Sequence, residues 1–195
     1  MKISFVGIPG LAILEPRVFE DERGFFFESY NSKKLAELGI DTDFVQDNHS
    51  RSRKGVLRGL HYQVRQCQTK LVRVTRGEIF DVAVDLRKSS PTFGHWFGVR
   101  LSAENMLQFY IPGSFAHGYL VLSETAEVLY KASDFYAPPH ERCIRWNDLD
   151  LAIEWPLDVE PVISAKDAQG VAFREAELPA DAVIDCLLSR TKRSL

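Results

Sequence analysis

The chain has 195 residues, of which 45% are hydrophobic and 26% are charged, and this composition predicts one globular domain over residues 1–195. The formal net charge of -3 gives no general attraction to nucleic acid or to an anionic membrane, so an anionic ligand has to be held by a few Arg and Lys side chains in a pocket. No apolar run approaches the roughly 20 residues that a membrane-spanning helix needs.

Short segments rich in Val, Ile, Phe, Tyr and Trp alternate with single glycines, which is typical of an all-β sandwich or barrel. In chain order we predict strands over residues 12–18, 25–30, 56–63, 94–101, 108–111, 116–122 and 126–136. A short helix is predicted from Ser32 to Leu38, with Ser32 as its N-terminal cap and Gly39 as its left-handed C-terminal cap. A second helix is predicted to begin at Pro179 and to run through Leu188.

The stretch from Lys70 to Arg87 has the pattern of two strands joined by a turn. Residues 79 to 86, IFDVAVDL, place Phe, Val, Val and Leu on one face and Ile, Asp, Ala and Asp on the other. Residues 75 to 78 contain a glycine and predict the turn of a β-hairpin.

Three histidines, His49, His61 and His117, lie in predicted strands or at their edges. In LRGLHYQ, strand alternation places His61 and Gln63 on one face and Arg58 on the other. Such a histidine can bind a metal, act as a base, or simply donate a hydrogen bond in the core.

A metal site in a small β-barrel usually draws two ligands from one face of one strand, as in H-x-H. The positions two residues before and after His61 are Gly59 and Gln63, so this pair is missing and no metal is predicted. A nucleophile formed by Cys67 with His61 stays an alternative, although no local signature supports it. The three cysteines form no CxxC pair and favour reduced thiols in a cytoplasmic protein: Cys67, Cys143 and Cys186.

The basic run RSRKGVLR, from Arg51 to Arg58, is short and has no interleaved aromatic residues. A solvated loop that leads into a strand therefore explains its first part better than nucleic-acid binding does. Arg58 differs because it lies between apolar residues, where an arginine needs an anionic partner such as a carboxylate or a ligand phosphate.

The chain resembles the dTDP-4-dehydrorhamnose 3,5-epimerase family in segments that run in order across nearly its whole length: DERGFFFESYN (21–31), FVQDNHSRSRKGVLRGLHYQ (44–63), KLVRVTRGEIFDVAVDLRKSSPTFGHW (70–96), IPGSFAHGYLVLSETAEVLYKASDFYAP (111–138), WNDLDLAIEWP (146–156) and ISAKD (163–167). The resemblance implies a cupin-type jelly roll, a double-stranded β-helix with a few short helices, that uses no metal and no other cofactor. It also implies a homodimer in which the N-terminal region crosses to the partner. The implied substrate is the dTDP-sugar dTDP-4-dehydro-6-deoxy-glucose, on the route to dTDP-L-rhamnose.

The same resemblance assigns roles to individual residues. His61 becomes the base, Asp167 the carboxylate that orients it, Tyr130 the proton donor and Lys70 the group that stabilises the enolate. Substrate contacts are implied for Arg23, Glu28, Gln46, Asn48, Arg58, His117, Glu141 and Lys166, with Tyr136 stacking on the thymine. Structural roles stay open for several of them, since Glu28 can pair with an arginine and His117 can be a hydrogen-bonded core residue.

The chemistry of a 4-ketosugar agrees with these roles. The ketone makes the hydrogens on carbons 3 and 5 acidic, so either centre is inverted when a proton leaves one face and another returns to the opposite face. Neutral imidazole is a suitable base, a phenol can donate the returning proton, and a lysine ammonium can hold the enolate charge. The alternatives are a single-centre epimerase, a non-catalytic jelly roll that binds sugar nucleotides, and a metal-dependent cupin oxygenase or isomerase.

Overall fold

The computed structural model describes residues 1–158 and 160–180. From its third residue onward, the predicted second helix lies outside the described residues, as does Cys186. The described chain contains one α-helix, α1 (Ser32–Glu37), and short 3-10 turns at Pro138–His140, Asp167–Gln169 and Phe173–Glu175. Its strands are β1 (Lys2–Phe5), β2 (Ala12–Glu15), β3 (Phe19–Asp21), β4 (Gly24–Phe26), β5 (Gln46–Arg53), β6 (Leu57–Gln63), β7 (Lys70–Arg76), β8 (Glu78–Asp85), β9 (Trp96–Ser102), β10 (Gln108–Ile111), β11 (Phe115–Val121), β12 (Thr125–Ala132) and β13 (Glu141–Cys143).

The strands form two large antiparallel sheets and a separate hairpin. The six-stranded sheet has the order β1-β2-β10-β7-β12-β5, the five-stranded sheet has the order β13-β6-β11-β8-β9, and β3 pairs with β4. The two large sheets pack face to face over a shared core that includes Val72 and Phe109 from one sheet and Ile79 and Phe115 from the other. The predicted all-β jelly roll is confirmed.

The predicted hairpin between residues 70 and 87 is wrong. β7 pairs with β10 and β12 in the six-stranded sheet, whereas β8 pairs with β9 and β11 in the five-stranded sheet. The chain crosses between the sheets at Gly77, where φ is +73° and an added Cβ would lie 2.1 Å from the Thr125 carbonyl oxygen. Val74 and Ile79 both face the shared core, so the two strands meet across the sandwich instead of side by side.

The polar strand β5 is absent from the sequence prediction, as are β1, β3 and β13. The sequence of β5, QDNHSRSR, lacks the apolar alternation by which half-buried strands are recognised. Its exposure nevertheless alternates, with Asp47 and His49 exposed and Asn48 and Ser50 partly buried. The predicted strands over 25–30 and 126–136 are shorter in the structure, where they correspond to β4 and β12.

The short helix is confirmed, with a different cap at its start. The side chain of Asn31, and not that of Ser32, accepts a hydrogen bond from the Lys34 backbone N–H at 3.1 Å. Gly39 follows the helix with φ +88°, as its predicted role as a left-handed cap requires. Leu35 of the helix packs with Leu71 on the outer face of the six-stranded sheet.

Residues 144–158 and 160–178 cover the outer face of the five-stranded sheet. Ile144, Leu151 and Trp155 pack there against Val82 and Leu120. This cover brings the 3-10 turn at Asp167–Gln169 against strand β6. Among the described residues, no helix has both the length and the apolar character to cross a membrane.

Candidate active site

A polar cavity of about 280 Å³ occupies one end of the space between the two sheets. Strand register explains which side chains reach it. Tyr130 pairs with Asn48 on one side and with Val72 on the other, and Val72 belongs to the shared core, so Tyr130 and Asn48 also face inward. The predicted site residues that line the cavity are Asn48, Arg58, His61, Lys70, His117, Tyr130, Tyr136 and Glu141.

Arg58 and His61 line the same cavity, which corrects the prediction that they lie on opposite faces of one strand. In the pairing of β6 with β11, His61 is opposite His117 and Arg58 is opposite Tyr119, with an irregularity between them. Three steps along β6 therefore match two along β11, and this β-bulge reverses the alternation. Gly59 permits the bulge, because an added Cβ would lie 2.6 Å from the His117 carbonyl oxygen.

His61 forms a short hydrogen bond with Asp167, at 2.6 Å between Nε2 and Oδ1. Burial raises the pKa of Asp167, but hydrogen bonds from His61, Ser164 and the Gly59 backbone outweigh burial and hold the pKa below its usual value. An ionised carboxylate accepts a hydrogen bond from Nε2–H and leaves Nδ1 as the nitrogen with a free lone pair. This arrangement is suited to a general base.

Tyr130 and Lys70 lie on the wall opposite His61. They belong to β12 and β7 of the six-stranded sheet, whereas His61 belongs to β6 of the five-stranded sheet. Lys70 Nζ is 5.9 Å from the centre of the Tyr130 ring. Burial lowers the pKa of Lys70 to about 8 against the attraction of Asp81 and Glu141, and burial raises the pKa of Tyr130. At neutral pH the wall therefore carries a protonated phenol and a largely protonated ammonium.

A second histidine–aspartate pair lies beside the cavity, which His117 lines. His117 Nε2 is 2.9 Å and 3.0 Å from the two carboxylate oxygens of Asp81, and both residues are buried. Burial lowers the pKa of His117, although Asp81 acts in the opposite direction. Asp81 was not among the predicted site residues, although an acidic residue on the inward face of an apolar strand needs a partner.

Two hydroxyl groups that line the cavity, those of Ser50 and Tyr119, were not predicted from the sequence. The hydroxyls of Ser50 and Tyr119 are 2.9 Å apart, and the Arg58 guanidinium donates to Ser52 Oγ at 3.1 Å and 3.2 Å. Within the described part of the chain, no carboxylate forms an ion pair with Arg58. The available signal for Tyr119 was its place two residues after His117 on one face of β11.

The rim of the cavity is organised around Glu141. Its carboxylate accepts a hydrogen bond from the Tyr136 hydroxyl at 2.5 Å and forms an ion pair with Lys166. Gln46 accepts a hydrogen bond from the Tyr136 backbone at 3.0 Å and donates one to Asn48 Oδ1 at 3.1 Å. Asn48 Nδ2 is buried and has no partner among the described residues, so it is a donor available to a ligand.

Arg23 and Glu28 do not reach this cavity in their own chain. Arg23 lies at the β3–β4 hairpin and pairs with Asp21, while Glu28 pairs with Lys34 at 2.7 Å. The hairpin forms a separate open pocket together with its exposed phenylalanines.

Cys143 lies beside His61, because the two residues are directly opposite each other on the paired strands β13 and β6. Burial raises the pKa of its thiol to about 12, which keeps the thiol protonated. His61, Cys143 and Asp167 each offer a ligand atom, and the three atoms lie within 4.8 Å of one another. No other such group of metal-ligating side chains occurs in residues 1–158 and 160–180.

Known proteins resemble this chain over almost its whole length. The family model described as dTDP-4-dehydrorhamnose 3,5-epimerase matches residues 6–175. The dTDP-4-dehydrorhamnose 3,5-epimerase of Pseudomonas aeruginosa is 63% identical over 178 residues, which cover 91% of this chain and 98% of the relative. The Legionella pneumophila dTDP-6-deoxy-D-glucose-3,5-epimerase, solved with dTDP-4-keto-L-rhamnose, is 53% identical with a TM-score of 0.89 and covers 91% of this chain and 97% of its own.

A single-centre enzyme has the same fold at lower identity. The 3'-monoepimerase of Streptomyces bikiniensis, solved with dTDP-quinovose, is 32% identical with a TM-score of 0.89, over 96% of this chain and 98% of its own. The fold is therefore common to double and single epimerases, and the greater identity lies with the double epimerases.

Proposed function

The chain belongs to the dTDP-4-dehydrorhamnose 3,5-epimerase family, and we propose that it inverts carbons 3 and 5 of its substrate with His61 as base and Tyr130 as acid. Its reaction is the conversion of dTDP-4-dehydro-6-deoxy-D-glucose to dTDP-4-dehydro-L-rhamnose, an isomerisation. Asp167 orients His61, and Lys70 stabilises the enolate.

The observation that carries these roles is that His61 and Tyr130 come from facing sheets and line one cavity. Stacked sheets lie about 10 Å apart, so a sugar ring held between them presents one face to each wall. His61 Nδ1 removes the proton from one face, and the electron pair moves towards the ketone oxygen. Tyr130 then delivers a proton to the same carbon from the other face, which inverts the centre.

Cationic and aromatic side chains near the cavity can bind the diphosphate and the thymine of the substrate. Arg58 lines the cavity and has no carboxylate partner among the described residues, and we propose that it binds the diphosphate. Tyr136 is half-exposed at the rim, where its ring can stack on the thymine. We propose that Gln46, Asn48, His117, Glu141 and Lys166 complete the substrate contacts within this chain.

The test is incubation with dTDP-4-dehydro-6-deoxy-glucose in deuterated water, followed by NMR of the product. We expect inversion at carbons 3 and 5 with one solvent deuteron at each, both without added metal or nicotinamide and with a chelator present. Inversion at one carbon alone would identify a single-centre epimerase. Binding without exchange would identify a non-catalytic protein, and loss of activity on chelation would identify a metal enzyme.

The pH dependence of kcat/KM tests the role of Lys70. This ratio reports the free enzyme, in which the pKa of Lys70 is about 8. Only the ammonium supports the enolate, so kcat/KM is expected to fall as pH rises through about 8. Burial raises the pKa values of Tyr130 and Cys143, so neither group accounts for a fall in that range.

Lys70→Met is the matching variant. Its kcat is expected to drop by roughly 100- to 1,000-fold, as for the loss of an oxyanion-hole donor, and its residual activity should lack the fall near pH 8. If kcat/KM of Lys70→Met still falls near pH 8, the group that titrates there is not Lys70.

We also propose a homodimer in which each β3–β4 hairpin reaches the cavity of the partner. Phe19, Phe25 and Phe26 on this hairpin are 52%, 61% and 71% exposed, a cluster of apolar surface that favours a protein partner. Arg23 and Glu28 are substrate contacts in the resemblance but lie away from the cavity of their own chain. A second copy of the chain would supply both residues.

Subunit mixing tests this arrangement. Arg23→Ala and His61→Asn should each be strongly impaired as homodimers. After subunit exchange at equal amounts, half of the dimers are mixed and each has one intact site, so activity should return to about a quarter of the wild type. Mixing His61→Asn with Tyr130→Phe is the matched control and should restore nothing, because both residues line the cavity of one chain. No recovery in the first mixture would contradict the proposal.

A further inference from the structure

We propose that His61, Cys143 and Asp167 form an inhibitory binding site for a thiophilic divalent cation such as Zn²⁺. The inhibition rests on the proposed function of His61 as base, whereas binding of the cation does not. The cation would replace the Nε2 proton between His61 and Asp167, and that proton would move to Nδ1, so the imidazole would lose the lone pair with which it acts as a base.

The arrangement of ligand atoms is the first support. One imidazole nitrogen, one thiol sulfur and one carboxylate oxygen lie within 4.8 Å of one another. Tetrahedral zinc, with bonds of about 2.0–2.3 Å, holds its ligand atoms roughly 3.5 Å apart, so shifts of about 1 Å complete the site. Cys143 and His61 are directly opposite on paired strands, which fixes their spacing.

Access and charge also favour a cation. His61 lines the cavity and its side chain is 30% exposed, so water can supply the fourth ligand. Asp167 carries a negative charge, and a bound cation displaces the Cys143 proton to solvent, so two anionic ligands neutralise a divalent cation. Lys166, the nearby positive group, is already paired with Glu141.

The ligand set determines which cations bind. A thiolate with an imidazole selects zinc, cobalt or cadmium, whereas magnesium and calcium prefer oxygen ligands. Zinc is therefore expected to inhibit the enzyme, and magnesium at the same free concentration is not.

The matched pair of variants is Cys143→Ser and Cys67→Ser. Cys67 is buried elsewhere, where its thiol donates to the Gln63 carbonyl oxygen at 3.1 Å. Free zinc has to be set with a metal buffer, because the diphosphate of the substrate binds zinc itself. The zinc concentration for half-inhibition should rise by at least about 10-fold in Cys143→Ser, since loss even of an outer-shell partner costs roughly 10- to 100-fold in metal affinity. Cys67→Ser should match the wild type.

Cobalt gives a readout that does not depend on catalysis. Co²⁺ titrated into the nucleotide-free protein should produce the near-ultraviolet charge-transfer band of a cobalt–thiolate bond. The band should persist in Cys67→Ser and disappear in Cys143→Ser, with Cys143→Ala as a second variant should the serine form fold poorly.

If the cobalt–thiolate band appears but zinc does not inhibit the enzyme, the result supports the metal site and contradicts the role of His61 as the base. No band in the wild type, or a band unchanged in both Cys143 variants, would overturn the site. Equal zinc inhibition of the wild type and Cys143→Ser would overturn it as well.

Discussion

His61→Asn is expected to abolish both epimerisation and exchange of substrate hydrogen with solvent. No enolate forms unless a base removes the first proton, and asparagine keeps a polar side chain without a basic nitrogen. General base catalysis contributes about 10²- to 10⁴-fold, and we expect a loss at the upper end because every later step depends on this one. Deuterium at carbons 3 and 5, measured by NMR beside product configuration, is the readout.

His95→Asn is the control for this change. His95 is exposed in the loop before β9 and does not line the cavity, so its variant should exchange and epimerise at the wild-type rate. Near-normal exchange in His61→Asn would show that another group removes the proton.

The local sequence pattern was sufficient to predict strands that are rich in apolar residues. The bounds predicted for β10 are those of the structure. The alternation in β8 separates the face in the shared core from the face that packs against Ile144, Leu151 and Trp155. Pairing partners were less predictable, because a glycine turn has the same sequence pattern whether the chain forms a hairpin or crosses between sheets. Gly77 makes the crossing, and the packing of distant strands decides it.

The candidate site departs from local pattern for a physical reason. A polar cavity inside a sandwich requires polar residues on inward strand faces. Strand β5 therefore lacks the apolar alternation by which a strand is predicted. At Arg58 a bulge reversed the strand alternation, and it depends on Gly59 lying against β11, a contact between residues far apart in sequence. Asp167 reaches His61 across 106 residues of chain, so only the family resemblance pointed to that pair.

Tyr130→Phe should separate proton removal from proton return. The variant keeps His61 and Lys70, so the enolate can still form and His61 can return a solvent deuteron to the face from which the proton left. We therefore expect exchange with retention of configuration, while inversion slows by about 100-fold or more for want of a positioned acid. Deuterium content and product configuration, followed in the same NMR time course, measure the two rates.

Tyr110→Phe is the control that removes a phenol hydroxyl elsewhere in the fold. The Tyr110 hydroxyl is 3.0 Å from Thr42 Oγ, and its ring packs with Leu35 outside the six-stranded sheet, so inversion should proceed at the wild-type rate. Inversion at that rate in Tyr130→Phe would exclude Tyr130 as the acid. If Tyr130→Phe loses both exchange and inversion, Tyr130 acts before the enolate forms. The proposed mechanism would then have no group on the opposite wall that returns the proton.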